Sequence, residues 1–439
     1  MSEPAAARGG SVQAPAGDSG RRLVFGLGVL SLLSWGGLAL AGDLAPRIPL
    51  FLGLYAVLFA AYALLLIRTG AGARLDCASR RLALLFAVAF RLAALAAPPS
   101  LSDDLYRYLW DGRVLLSGVN PYRYPPTASA LAPLRDEHHA AINHPELPTI
   151  YPPAAQAAFA LVAAVWPEPA GIKLLMAVMD LLALAALALL LRALGLPAGR
   201  LVIHAWCPLV ILEFAGMGHV DAVGSALFVG ALAALAVARH RLALVALGAA
   251  ALAKLFPLLL VPAFLERTPR RAWFLLPIVL AAGVLPFAAP GVDPTGSLRT
   301  FAAHWRGNDV LFAGLVALTG SPRSAKGVAL LITGGVLAAC RFRRMSIAST
   351  ALAAMTAVLL LSPVLHPWYL TWIVPLLAVR PVPALIAWTG SIALAYLAVS
   401  RSLAVGVYEV VPWVRGLELA IPLAVAALAR LGFGRDRHG

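Results

Sequence analysis

"PLFLGLYAVLFAAYALLLIRTGAGARLDCASRRLALLFAVAFRLAALAA", residues 49–97, decides the architecture. Two long apolar runs, 49–67 and 82–97, flank a loop that carries Arg68, Arg74, Arg80 and Arg81. Each run approaches the roughly 20 residues that an α-helix needs to cross a hydrocarbon layer. In lipid every backbone amide must be paired inside the protein, so such runs are helices. Arginine-rich loops stay on the cytoplasmic side. The first run therefore enters, the second leaves, and the chain after Ala97 lies on the outer face.

The same rule extends in both directions. Arg21 and Arg22 place the N-terminus inside, and 23–42 exits. Residues 98–151 form a large outer loop, 152–166 reads as an interfacial or half-inserted helix, and 170–191 crosses to "RALGLPAGR" (192–200). Span 201–216 exits to "GMGHVD" (216–221), and 222–238 returns to "RHR" (239–241). Too little chain separates "RHR" from "RTPRR" (267–271) for two ordinary crossings. The spacing predicts a broken hairpin, 242–253 up and 255–265 down, with "AKLFP" (253–257) at its apex; a single span with one arginine cluster outside is the alternative. Span 272–289 leads to the outer "HWRGND" (304–309), 310–319 is too short to cross, and 326–340 returns to "RFRR" (341–344). Segments 347–362, 368–379, 382–399 and 414–430 complete the chain, with "SPVLHPWY" (362–369) outside. The expectation is an all-α polytopic membrane protein of about 11–14 transmembrane helices. It forms one integrated domain over 21–430, between a disordered cytoplasmic tail (1–20) and a short cytoplasmic tail (431–439).

Composition agrees. The chain is 61% hydrophobic and 13% charged, against about a quarter charged in ordinary globular domains. The formal charge of +15 comes from arginines between spans, so it reports topology and implies no nucleic-acid partner. Cys77, Cys207 and Cys340 show neither disulfide nor metal spacing. An arginine- and alanine-rich composition points to a GC-rich bacterial genome, and hence to an inner (plasma) membrane and cell-envelope chemistry.

Under this topology the unusual polar residues gather on the outer side: Asp103, Asp104, Asp111, His144, Tyr151, Glu213, His219, Asp221, His304, Arg306, Asn308, His366 and Tyr369. Ionisable groups at membrane depth are costly, so a one-sided collection from several loops reads as a site. "SDDLYRYLWDGRVLLSGVNPY" (102–122) is its centre. Residues 103–117 form a helix capped by Ser102 or Asp103. At 100° per residue Asp104, Arg107, Tyr108 and Asp111 share one face, and Leu105, Leu109 and Leu116 another. This describes an interfacial helix with its acidic side toward a cavity. Asp103 points away from Asp104 on that wheel and serves as a cap. Asp104, at a helix N-terminus that favours its ionised form, suits a general base.

Lys254, at the hairpin apex, is placed to meet an anionic phosphate, assisted by the half-helix ends; a snorkelling lysine is the plainer reading. His219 and Asp221 in "HVDA" do not share a helix face, and no HxxxH or HExxH pattern occurs, so a metal site has weak support. A divalent cation near Asp104, Asp221 and a phosphate is left open. Trp368 and Tyr369 either stack on a sugar or join the interfacial aromatic belt, and Trp305 is assigned to the belt.

Taken in order, the stretch 102–122, "IYPPAAQ" (150–156), "CPLVILEFAGMGHVDA" (207–222), "ALAKLFPLLLVPAF" (251–264) and "SPVLHPWYLTW" (362–372) resemble the polyprenyl-phosphate-sugar-dependent GT-C glycosyltransferases. The nearest branch is the bacterial polyprenol-phosphomannose-dependent alpha-1,6-mannosyltransferases. The resemblance covers roughly residues 80–380 and implies a GT-C-like helical bundle. It implies an inverting transferase working on the extracytoplasmic face, with a polyprenyl-phosphate sugar as donor and a glycan or lipid hydroxyl as acceptor. The family's Ser-x-Asp-x-Tyr-x-Tyr pattern falls on Ser102, Asp104, Tyr106 and Tyr108 and makes Asp104 the base, with Asp103 the second catalytic candidate. Candidates for donor and substrate binding are Arg107, Tyr108, Asp111, Asn120, Tyr122, His144, Tyr151, Gln156, Glu213, His219, Asp221, Lys254, His304, Arg306, Asn308, His366, Trp368 and Tyr369. A secondary transporter or flippase would also carry broken helices and intramembrane acids. No mirrored second half is visible, and the polar groups favour one side.

Overall fold

The computed structural model describes residues 17–435. Among them are no β-strands, only one isolated bridge between Gly307 and Val364. The first three helices, α1 (Gly17–Ala41), α2 (Ile48–Thr69) and α3 (Cys77–Ala96), are the runs expected from the sequence. The tail expected over 1–20 lies outside the described residues up to 16, and Gly17 to Gly20 already belong to α1. Asp18 explains the longer helix, since it sits in the first turn and accepts from Arg22 one turn on, at 2.9 Å. At the other end the last helix, Pro412–Arg435, takes in residues 431–435 of the expected tail, and 436–439 lie outside the described residues.

Among the described residues six helices are long and apolar enough to cross a membrane, or seven if the bent pair Ala198–Ala205 and Pro208–Gly216 is one span, fewer than the 11–14 expected because many apolar segments form helices too short to cross. Seven further apolar helices have only 10–17 residues. Several short helices pack directly on one another. Helix α4 (Asp104–Leu116) packs on α5 (Pro153–Val165), and α6 (Pro169–Ala193) carries α9 (Asp221–Ala236), which also packs on α10 (His240–Ala253). Helix α9 is buried along almost its whole length, so it is apolar all round rather than amphipathic. The α4–α5 contact is close. A Cβ on Gly112 would stand 2.4 Å from the main-chain oxygen of Phe159.

The bent pair contains two four-residue pieces, α7 (Val202–Ala205) and α8 (Pro208–Ile211), which meet at 57°. Pro208 has no N–H to continue the ladder. The carbonyls stranded by the break find side-chain donors. Tyr62 on α2 donates to the Ile203 oxygen at 2.8 Å, and Arg91 on α3 donates to the Ala205 oxygen at 2.9 Å. Arg91 also pairs with Asp180 on α6, which binds His204 Nε2 at 2.8 Å. All three side chains are buried. This is how a broken helix persists away from water: neighbouring helices supply the missing partners.

The broken hairpin is present. Helix α10 starts beside the end of α9 and stops at Ala253, where Lys254 is extended and lies 3.0 Å from Asp221, the first residue of α9. The chain then returns through Phe256–Leu265, and Arg267 meets the Met345 oxygen at 2.9 Å, near Leu235 and Ala236 at the end of α9, just before α10 begins. Lys254 is thus at the turn, as its flanking charges required.

Candidate active site

A cavity of about 1230 Å³ opens at the end of the bundle where Asp221 and Lys254 meet. The loops 97–103 and 142–152, the hairpin apex, residues 297–308, 362–369 and the segment 402–415 line it. At the opposite end lie Arg267, Arg341 and Glu266.

Helix α4 starts on the cavity wall. Its N-cap is Asp103, whose carboxylate makes no capping bond. Instead Asn143 donates to Asp103 Oδ1 at 2.9 Å and to Asp104 Oδ1 at 2.7 Å, so one amide holds both acids. The wheel reading had separated the pair. The structure brings both to the cavity, because Asp103 lies ahead of the first helical turn and is not bound by its periodicity. Burial by the surrounding walls, and next the charge of Asp104, raise the Asp103 pKa above the ordinary aspartate value. Tyr108 OH donates to Asp104 Oδ2 at 3.4 Å, and Ser102 Oγ accepts the Asp104 N–H at 3.3 Å.

The rest of the expected α4 face divides. Arg107 reaches the cavity, yet its guanidinium pairs with Asp111 at 2.9 Å and donates to the Leu147 oxygen, tying α4 to the loop over it. Asp111 faces away from the cavity. It is buried and accepts from Thr149 and from Gln156 at 3.2 Å. Tyr108 is buried, its ring stacked on Phe159 at 4.5 Å. Asn120 and Tyr122 likewise build the wall from behind. Asn120 donates to the Phe287 oxygen at 2.8 Å, and Tyr122 OH donates to the Tyr151 oxygen at 2.7 Å.

Lys254 lines the cavity. Its ammonium lies 4.6 Å from the centre of the Tyr369 ring and is paired with Asp221, which also accepts from Trp372 Nε1 at 2.7 Å. Asp221 is fully engaged and buried. Trp368 sits between two imidazoles, His219 at 4.0 Å and His366 at 4.3 Å, with near-parallel planes. His366, Trp368 and Tyr369 line the cavity, as do Tyr151 and His144. Glu213, in the π-turn Leu212–Gly216, is buried and accepts from Tyr396 OH at 2.7 Å. The turn that follows needs Gly218, whose φ of +79° is left-handed and whose Cβ would meet Leu105 at 2.9 Å.

Arg306 and Asn308 line the far wall. Arg306 pairs with Asp309, which Arg415 also binds at 3.1 Å, and Asn308 donates to Glu418 at 2.7 Å. His304 is exposed and outside the cavity lining. Trp305, assigned to the belt from sequence, lines the cavity and meets the His144 ring edge-on at 4.9 Å. Sequence reasoning also missed Asn143 and Tyr408. Neither belongs to a periodic pattern, and only the folded loops bring them to Asp104. Among the described residues no three His, Cys, Asp or Glu side chains converge to hold a metal ion.

The family model described as "Alpha-(1->6)-mannopyranosyltransferase, N-terminal domain" matches residues 28–267, more than half of the chain. The chain belongs to this family. The matched region contains α4, both acids, the π-turn and the hairpin apex with Lys254. No curated relative and no solved structure matches the chain. The mannosyltransferase cavity is therefore walled by the matched region on one side and by the unmatched residues 297–415 on the other.

Proposed function

We propose that this mannosyltransferase is a GT-C-type enzyme that moves mannose, with inversion, from a polyprenyl-phosphate donor to a hydroxyl of a glycan or lipid acceptor on the extracytoplasmic face. The observation that carries the reading is the Asp104 carboxylate, held on the cavity wall by Asn143 and Tyr108. Asp104 takes the acceptor proton as the oxygen attacks the anomeric carbon, and polyprenyl phosphate departs. That leaving group is a stable anion and needs a cation rather than an acid. Lys254 supplies it, with part of its ammonium open to the cavity. A donor anchored in lipid accounts for a site at the membrane surface, and the arginines at the other end support the reading that this surface faces outward. His366, Trp368, Tyr369 and Trp305 form an aromatic wall against which sugar rings stack. The family's printed 1->6 linkage supports the primary hydroxyl of a hexose as the acceptor group, and a mannoside is the acceptor to try first.

The test is transfer of radiolabelled sugar from synthetic polyprenyl-phosphate donors in membranes. Removing a general base costs about 10²- to 10⁴-fold. Asp104→Asn is expected to lower kcat within that range while leaving the donor KM near wild type. A mutant that transfers as well as wild type rules out Asp104 as the base. A wild type that transfers from no prenyl-phosphate mannose, with mannosides offered as acceptors, rules out the donor.

A further inference from the structure

Behind Asp104 runs a chain of polar groups that the reaction above does not use. Ser102 Oγ lies on the cavity wall, 3.1 Å from His219 Nε2. His219 Nδ1 is 3.0 Å from Glu213 Oε2 and 3.2 Å from the Glu213 main-chain oxygen. Tyr396 OH holds the other Glu213 oxygen, and Trp368 covers the imidazole face. His219 and Glu213 are fully buried, whereas Ser102 is only partly so.

A Ser–His–Glu chain first suggests an activated nucleophile. The surroundings oppose that. Asp103 and Asp104 adjoin Ser102, and their charges would destabilise an oxyanion formed on any group bonded to Oγ. The Asp104 N–H also occupies one Oγ lone pair.

Hydrogen-bond accounting assigns a different role. A hydroxyl has one O–H and two lone pairs. The Asp104 N–H takes one lone pair, and His219 takes either the O–H or the second lone pair. His219 Nδ1 faces only oxygens and so carries a proton, which leaves Nε2 as the group that decides. In either case one Ser102 position remains for the cavity. A sugar hydroxyl satisfies both cases, because it donates and accepts. In an inverting displacement the base lies across the anomeric carbon from the leaving group. Ser102, bonded to the Asp104 main chain, is therefore on the acceptor's side.

We infer that Ser102 contacts the acceptor sugar at an oxygen adjacent to the attacking hydroxyl, and that His219, clamped by Glu213, is its positioning residue. The assignment rests on the proposed transfer reaction. A neutral hydrogen bond contributes about 2- to 10-fold in affinity. Ser102→Ala is expected to raise the acceptor KM by about that factor, with donor KM unchanged, and Ser102→Thr to restore it. His219→Gln should act in the same direction, and Ser102→Ala with His219→Gln together should do no worse than Ser102→Ala alone. A shift in donor KM instead, no rescue by threonine, or multiplied effects would overturn the inference. Binding of methyl α-mannopyranoside to protein in nanodiscs, read by saturation-transfer NMR without donor, separates the two failures. Weaker mannoside binding by Ser102→Ala than by wild type sustains the contact even if no donor is turned over. Equal or absent binding in both sinks it. Should His219→Gln fail to fold, the alanine and threonine variants at Ser102 decide alone.

Discussion

Asp103 and Asp104 share one amide donor, and two like charges so close cannot both be comfortable when ionised. Burial and Asp104 raise the Asp103 pKa, so the folded protein holds this proton more tightly than the unfolded chain does. Stability therefore falls as pH rises from the ordinary aspartate value, about 3.9, to the raised one, and the cost is complete above it. Asp103→Asn removes the charge and keeps an oxygen for Asn143. In nanodiscs the variant should unfold at a higher temperature than wild type at pH 7, with the gap closing near pH 4. A gap that does not change with pH would mean that Asp103 is not strained. The wheel drawn from sequence placed Asp104 and Arg107 toward the cavity correctly. It could not show that the loop 142–151 covers Tyr108 and Asp111, because periodicity gives a face but not what packs on it. Asn143, which holds both acids, sits in a loop with no period at all.

At the scale of elements, the charge spacing between "RHR" and "RTPRR" was enough to locate the hairpin and put Lys254 at its apex. The short helices α4, α5, α9 and α10 were legible as segments, yet the enclosure of α9 by protein was not, since apolar sequence reads the same whether it faces lipid or a neighbour. The bend between α7 and α8 was invisible to hydropathy, although Pro208 marks it. Its integrity depends on partners outside the segment. Tyr62→Phe leaves the Ile203 carbonyl without its donor, which should cost about 1–3 kcal/mol and lower the unfolding temperature without touching the cavity. If the variant is as stable as wild type, the hydroxyl is not what holds the bend.

For the whole molecule, the decisive quantity is orientation. Of the three cysteines Cys77 is exposed, whereas Cys207 and Cys340 are buried. Cys77 starts α3, just after the arginine-bearing loop. A membrane-impermeant maleimide added to intact cells should leave it unmodified and should label it once the membrane is opened. Labelling in intact cells would turn the topology over and place the cavity inside.

The bend carries a consequence for how the protein is made. Its stranded carbonyls are served by Tyr62 and Arg91, both of which precede Trp206 and Cys207 in the chain. A ribosome delivers α2 and α3 to the membrane before the broken segment emerges, so its partners are already waiting in the bilayer. Moving the segment ahead of them by circular permutation would expose bare carbonyls to lipid during synthesis. The linear order of the gene thus doubles as an assembly schedule.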